Sequence, residues 1–381
     1  MKSKFLYIAI AIYSLSIGIL ITVVPLYIKS MDVDGAIAGF IFSAYAITFV
    51  MASPIWGKMS DVWGRKITLV LGMAGYSLAV LLYSFVKAPS RILPIRLLQG
   101  FADAAYWTVP AALIADIYAP EKLGKALGKI GVFQGIGSIA GPLVGGILIR
   151  EYSFPVAFYF CSALTFLTAL LVFFGVQIRK KPSKSITISS SVWLDFDSKR
   201  KKSFAIAYFD SMLPAIYLGI IAAIFPLHAD TVLEGNTFLV GLLLTSYYVA
   251  ALLIKPLAGK LSDIIGRRLA ILVALATSGL GFFILIFSSS FLSFLLAMII
   301  VGTGVGQLSI TSKTALMDLA PPSQRGFISG LQSIAWGIGY FFGPMIGGVL
   351  ADYSLSAPYI FCTLISTLGG FITLVYDVPK R

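Results

Sequence analysis

One histidine and two cysteines in 381 residues leave almost nothing with which to hold a transition metal or to build a thiol or imidazole catalytic centre. Cys161 and Cys362 fall at matching places in two apolar runs and read as packing residues rather than as a disulfide or metal pair. Neither a G-x-x-x-x-G-K-[ST] phosphate loop nor a G-x-S-x-G elbow occurs, so the usual equipment of an ATPase or a serine hydrolase is missing and the chain is read as no enzyme. Charge is scarce as well. Only 12% of residues are Asp, Glu, Lys or Arg, about half the share of a soluble globular domain, while 58% are apolar. That balance excludes an ordinary soluble fold and points to a polytopic membrane protein.

A helix needs about 20 apolar residues to cross the hydrocarbon layer, and the chain divides into twelve such runs. They are placed at 5–28, 35–57, 67–86, 92–114, 126–149 and 155–178, then at 204–227, 237–259, 269–289, 291–314, 327–350 and 357–376. The first run follows Lys2 and Lys4 but stays apolar without a small-x-small cleavage site, so it is expected to be a retained span rather than a signal peptide. The net charge of +13 is distributed in a way that speaks against nucleic acid. With Lys2 inside, 22 of the 29 Lys and Arg fall on that side, and only Lys29, Lys87, Arg91 and Arg150 fall outside. Both termini are expected in the cytoplasm, with the protein a multi-pass component of the plasma membrane.

Ten residues occur almost twice. Gly57-Lys-Met-Ser-Asp61-Val-Trp-Gly64-Arg65-Lys66 returns 202 positions later as Gly259-Lys-Leu-Ser-Asp263-Ile-Ile-Gly266-Arg267-Arg268, with six of ten positions identical. The same offset pairs Gly39 with Gly241, Tyr45 with Tyr247, Pro54 with Pro256, Asp116 with Asp318 and Pro120 with Pro322. It also pairs Gly137, Gly141, Pro142, Gly145 and Gly146 with Gly339, Gly343, Pro344, Gly347 and Gly348. The chain is therefore two related halves. An even number of spans per half keeps both copies in one orientation, related by an axis along the membrane normal. The expected organisation is a six-helix bundle over 1–178, a basic cytoplasmic linker over 179–203 and a second six-helix bundle over 204–381. The basic runs of the linker read as a topology signal and a contact for anionic lipid, with regulatory binding the lesser alternative.

In the duplicated islands, Gly57 and Gly64 permit a tight turn and close helix approach. Asp61 can meet a helix N-terminus, and Arg65 or Lys66 can meet a carboxylate, for which Asp116 is the natural partner. Gly259, Asp263, Gly266, Arg267, Arg268 and Asp318 repeat the set. A plain topology signal is the other reading of both.

Twelve spans, a six-plus-six repeat, a basic central loop and G-x-x-x-D-x-x-G-R-K/R after spans 2 and 8 together resemble the major facilitator superfamily of secondary transporters, over essentially the whole chain. Arg96-Leu-Leu-Gln-Gly100 in span 4 resembles that family's membrane-embedded arginine motif. Gly137-Ser-Ile-Ala-Gly141-Pro142-Leu-Val-Gly145-Gly146 resembles the antiporter motif of its twelve-span drug/proton exporters. The pattern departs in two places: span 11 carries the same Gly-Pro-x-x-Gly-Gly, and span 1 lacks the acidic residue of some cation exporters. The resemblance implies an all-helical fold of two pseudo-symmetric bundles, alternating access around a midplane site, and an ion gradient in place of a cofactor. It also implies that the duplicated charge clusters form a cytoplasmic gate. The glycines of spans 5 and 11 form either a rocking surface or ordinary small-residue packing.

Charges inside spans face a cavity or a partner, because burying them in lipid is costly. Arg96 and Asp103, seven residues and about 10 Å apart along span 4, share a face without touching. A moving arginine or a cationic solute can switch the proton on such a carboxyl, as proton exchange requires, and a static Asp bonded to a hydroxyl is the alternative. Asp210 in span 7 is the second acidic candidate. Lys255 and Lys313 can pair with it or snorkel, and snorkelling suits Lys255 better. His228 is expected in an exposed outer loop. Tyr13, Tyr106, Trp107, Gln134, Tyr247, Tyr248, Gln307, Gln332 and Trp336 suit a lipophilic, cationic solute, or are lipid-facing or core. The sequence reading is thus a secondary transporter, acting as a monomer on a small molecule within the lipid bilayer and exporting hydrophobic, drug-like compounds against protons. Its rivals are a same-fold carrier of a sugar or organic anion, and a receptor or assembly protein that kept the scaffold.

Overall fold

A computed structural model describes residues 4–118, 120–176, 198–321 and 324–375, which are helical almost throughout. Among the described residues, six α-helices lie in the first half, with a single 3-10 turn at Pro89–Arg91 before the fourth: α1 (Lys4–Lys29), α2 (Gly35–Val62), α3 (Arg65–Tyr83), α4 (Ile92–Ile117), α5 (Pro120–Glu151) and α6 (Phe154–Gly175). Seven of the described α-helices lie in the second: α7 (Ser198–Ala223), α8 (Phe225–Val232), α9 (Thr237–Ile265), α10 (Arg267–Ile286), α11 (Phe291–Leu319), α12 (Arg325–Ala351) and α13 (Ala357–Val375). Eleven of the described stretches are long and apolar enough to cross a membrane, with α7 and α8 forming one. The remaining long helix is α4, whose 26 residues hold Arg96, Gln99 and Asp103. The fold is all-α, as the hydrophobic runs require. Residues 179–197 of the linker expected at 179–203 lie outside the described residues, and α7 already begins at Ser198, just ahead of the basic run Lys199–Lys202.

The helices exceed the apolar runs mainly at their charged ends. The α2 helix continues through Lys58 and Asp61 to Val62, and α9 through Lys260 and Asp263 to Ile265, because nothing in those islands breaks a helix before Gly64 and Gly266. Those two glycines turn the chain, at φ of 95° and 85°, values at which a Cβ would strain the backbone. Span 7 is divided. Pro226 supplies no N–H and sits in the first turn of a new helix, so α7 stops at Ala223 and α8 restarts one residue later.

The described residues fall into two compact units. The first contains α1 to α6 and the opening of α9 up to Thr245. Its most extensive seam joins α1 to α5. A Cβ on Gly141 would lie 2.5 Å from the Gly18 Cα, and one on Gly137 would collide with the Ala11 carbonyl. Gly146, on another side of α5, faces α9 and accepts a 2.9 Å hydrogen bond from Thr237. Between α3 and α6, Ser77 and Ser162 each donate to the other's carbonyl at 2.9 Å.

The second unit repeats the seam between α7 and α12. Cβ atoms on Gly339 and Gly343 would lie 2.5 and 2.6 Å from the carbonyls of Met212 and Ile216, while Pro344 lies against Gly219 and Gly347 against Ile220. Gly348 is buried beside it. Such small residues let backbones meet where lipid offers no hydrophobic gain for helix association.

Candidate functional site

A carboxylate surrounded by aromatic donors forms the polar centre of the first unit. Asp103 is 1% exposed. Its Oδ1 accepts from the Tyr13 hydroxyl at 2.9 Å, and its Oδ2 accepts from the Tyr45 hydroxyl and from Trp107 Nε1, the latter at 3.2 Å. The donors come from α1, α2 and α4. Tyr45 reaches it because Gly100 brings α4 onto α2: a Cβ there would collide with the Tyr45 carbonyl. Tyr106 stacks on Tyr13 with ring centres 4.1 Å apart and shares a 2.7 Å hydrogen bond with Ser14. Gln134 of α5 is within reach of the Tyr106 hydroxyl. Trp107 is 49% exposed, so one wall of this carboxylate cage is open at the surface of the unit. Asp103 makes no ion pair with any described residue.

Arg96 occupies a second compartment on the same helix. It is 7% exposed, lies 4.2 Å from the centre of the Phe42 ring and donates to Gln99 Oε1 at 3.1 Å. Gln99 also accepts from the Tyr83 hydroxyl at 2.8 Å and donates to the Tyr76 hydroxyl at 3.1 Å. The Tyr76 and Tyr13 rings are 4.9 Å apart, so the two compartments adjoin without an Arg96–Asp103 contact. Arg96 Nε is buried without a hydrogen-bond partner. Tyr45, Tyr76, Tyr83 and Gln99 were not singled out from the sequence as site residues. Gln99 had a signal, since positions 96, 99, 103 and 106 repeat on one face of a helix. The three tyrosines come from other helices, which spacing along α4 does not reach.

In the second unit Asp210 is completely buried on α7. Its Oδ2 accepts from Thr373 Oγ1 at 3.3 Å, and its Oδ1 has no partner. Lys255 and Lys313 correct one option of the sequence reading: neither pairs with Asp210. Both are exposed on their helices and lie near enough to repel each other. His228 departs from the expectation of an exposed loop. Because α8 continues span 7, the ring is buried, with Nδ1 3.2 Å from the Tyr359 hydroxyl and its plane edge-on to Phe294. Gln307 is buried and donates to the Ala270 carbonyl at 3.3 Å, tying α11 to α10. Tyr247 is buried edge-on to Tyr248, and Trp336 stacks on Tyr340 at 5.1 Å. Gln332 is half-buried.

The duplicated charge clusters share one geometry. Arg65 binds Asp61 at 2.6 Å, Asp116 at 3.1 Å and the Ser60 hydroxyl at 2.5 Å. Arg267 binds Asp263 at 2.6 Å, Asp318 at 2.8 Å and the Ser262 hydroxyl at 2.8 Å. The two serines complete the set and carry the same 202-residue offset. Lys66 meets a ring instead of a carboxylate, 5.3 Å from the centre of Phe173. Arg268 donates to the carbonyls of Thr373, at 3.0 Å, and Leu374, at the end of α13. That contact satisfies carbonyls left open by a helix terminus. Gly57 and Gly259 overturn the expectation that they serve a turn or a close approach. Each lies inside a helix, and a Cβ there would meet nothing within 4 Å. Gly57→Ala and Gly259→Ala are therefore expected to raise stability by about 0.5–1 kcal/mol each and to leave transport unchanged. Thermal unfolding in detergent and a transport assay check this, and lost transport at normal stability would show that transport itself requires glycine at the two positions.

A family model described as Major Facilitator Superfamily matches residues 6–225 and 203–381. Multidrug resistance protein 2 of Bacillus subtilis is 27% identical over 374 residues, covering 96% of this chain and 93% of that protein. Multidrug resistance protein MdtG of Enterobacter lignolyticus is 28% identical over 359 residues, covering 92% and 85%. Among solved structures, a mutant form of the nucleoside transporter NupG superposes with a TM-score of 0.85 at 16% identity, covering 98% of this chain and 99% of that one. A bacterial homologue of the human lysosomal transporter Spinster, in an inward-facing, occupied conformation, gives 0.81 at 14% identity over 98% and 96%.

Proposed function

The chain belongs to the Major Facilitator Superfamily and is a membrane transporter rather than an enzyme, and from that premise we propose that it exports hydrophobic, cationic compounds in exchange for protons by alternating access. The observation that carries this reading is the Asp103 cage. Its carboxylate is balanced by three neutral donors and, among the described residues, by no resident cation. A proton and an organic cation can each supply the missing positive charge, and only one of them can do so at a time. That competition is the elementary requirement of exchange. The half-exposed ring of Trp107, beside the buried Tyr13–Tyr106 stack, suits a flat or quaternary cation through stacking and cation–π contact. The relatives named for multidrug resistance support the substrate class. On this reading the driving force is the proton gradient, no cofactor is needed, the monomer is the working unit and both termini lie in the cytoplasm.

A polar or anionic metabolite is the second reading, supported by Lys255 and Lys313, which lie near each other in the second unit without an ion-paired acid among the described residues. The two are separated by reconstituting the protein in liposomes that hold a proton gradient and a pH-sensitive dye. Lipophilic cations, sugars, nucleosides and organic acids are then added in turn. Proton movement triggered by lipophilic cations and by none of the others is the expected result. Solute exchange of a sugar, nucleoside or acid without proton movement would replace the exporter by a metabolite carrier.

A further inference from the structure

The two long glycine-rich helices α5 and α12 share their packing glycines and much of their outward apolar face, and differ in charge at their N-terminal ends. Their outward apolar positions correspond: Val132 with Ile334, Ile136 with Ile338 and Ile147 with Val349, each between 39% and 54% exposed. On α5 the same face continues into Lys122, Lys125 and Lys129, all exposed. On α12 the corresponding positions are Gln324, Phe327 and Leu331. At about 100° per residue, the three lysines and three apolar residues of α5 fall within an arc of roughly 80°. Gly137 and Gly141, packed on α1, lie on the other side of the helix.

Helix length places the lysines relative to the bilayer. From Lys129 to Arg150 is 21 residues, or about 31 Å along the axis, close to the thickness of the hydrocarbon layer. Lys129 therefore lies at the hydrocarbon boundary. Lys125 and Lys122 follow at about 6 and 10 Å beyond it, at the depth of lipid headgroups. The lysines make no ion pair with any described residue. Because the duplicated helix α12 forms the equivalent seam without them, they are not required by that packing.

We propose that this stripe is a binding site for an anionic phospholipid, whose phosphate is held by Lys122, Lys125 and Lys129 while an acyl chain lies along Val132 and Ile136. Each ammonium group near an anionic headgroup favours it severalfold. Three together account for a preference of well over tenfold for phosphatidylglycerol over a zwitterionic lipid. The site lies away from the Asp103 cage and does not depend on which solute the protein carries.

Native mass spectrometry of the full chain tests it, with micelles containing equal amounts of dioleoyl-phosphatidylglycerol and dioleoyl-phosphatidylcholine. Wild type is expected to retain phosphatidylglycerol selectively. The K122Q/K125Q/K129Q variant should lose at least tenfold of that selectivity, and the corresponding triple arginine variant should keep it. Single changes such as Lys129→Gln should each lower it severalfold at an unchanged melting temperature, which keeps the test valid should the triple variant fold poorly. Equal retention of both lipids by wild type, or unchanged selectivity in the glutamine variants, would overturn the proposal. So would displacement of the lipid by equimolar water-soluble glycerol 1-phosphate, because the apolar half of the site would then contribute nothing.

Discussion

Asp103→Asn is expected to abolish proton-driven export, lowering the initial rate by about 100-fold or more, the lower range of what a required proton-transfer group contributes. The amide oxygen can take the Oδ2 place and still accept from Tyr45 and Trp107, while the amide NH2 at the Oδ1 place donates to the Tyr13 hydroxyl, so the cage keeps its shape and the protein its fold. What it loses is the ability to take up a proton and to offer a negative charge to a cation. The variant should therefore show neither cation-triggered proton movement nor accumulation against a gradient. Asp210→Asn in the same assay should retain transport within a few fold, because Asp210 is wholly buried and, among the described residues, its carboxyl accepts from Thr373 alone, with no half-exposed ring like Trp107 donating to it. Rates measured in proteoliposomes for wild type and both variants decide the matter. Undiminished proton exchange by Asp103→Asn would sink the assignment, and loss confined to Asp210→Asn would transfer it to the second unit.

The second large effect concerns stability. Gly141→Val places new atoms where the α1 backbone already runs, since even the first added carbon falls 2.5 Å from Gly18 Cα. A flexible side chain can turn aside, but a helix backbone can only move as a body, and the seam extends from Gly137 to Gly145. The cost should reach or exceed the upper part of the overpacking range, about 3 kcal/mol. Gly343→Val should behave alike, because a Cβ there lies 2.6 Å from the Ile216 carbonyl. Size-exclusion profiles and thermal unfolding of detergent-purified protein should show both variants largely aggregated. Recovery of either at wild-type yield and melting temperature would mean that the seam is looser than its geometry.

Much of the architecture was legible because the bilayer simplifies the problem. A run of about 20 apolar residues has one economical conformation in lipid, and a 202-residue duplication transfers each inference from one half to the other. What misled was local. Gly57 looks like a turn residue by type, yet the turn is made by Gly64, and only the backbone conformation separates the two. His228 looked like loop because hydropathy falls there, whereas Pro226 restarts a helix that folds the ring against Tyr359. Asp103 and Arg96 could be placed on one face of α4 by counting. Their partners could not, because contact between helices depends on rotation and spacing set by residues such as Gly100. Lys255 and Lys313 show the same limit, since placing them at a similar depth to Asp210 left open which way each side chain pointed.

The polar loading of α4 also bears on how the protein is made. Arg96 and Asp103 each oppose entry into the membrane by roughly 3 kcal/mol on insertion scales, so this helix is a poor candidate to leave the translocon alone. Apart from contacts within α4 itself, the groups that meet Arg96, Gln99 and Asp103 in the finished protein come earlier in the chain: Tyr13 from α1, Phe42 and Tyr45 from α2, Tyr76 and Tyr83 from α3. By the time α4 is synthesised its partners have already emerged, and the order of the helices along the gene supplies the solvent that the lipid withholds.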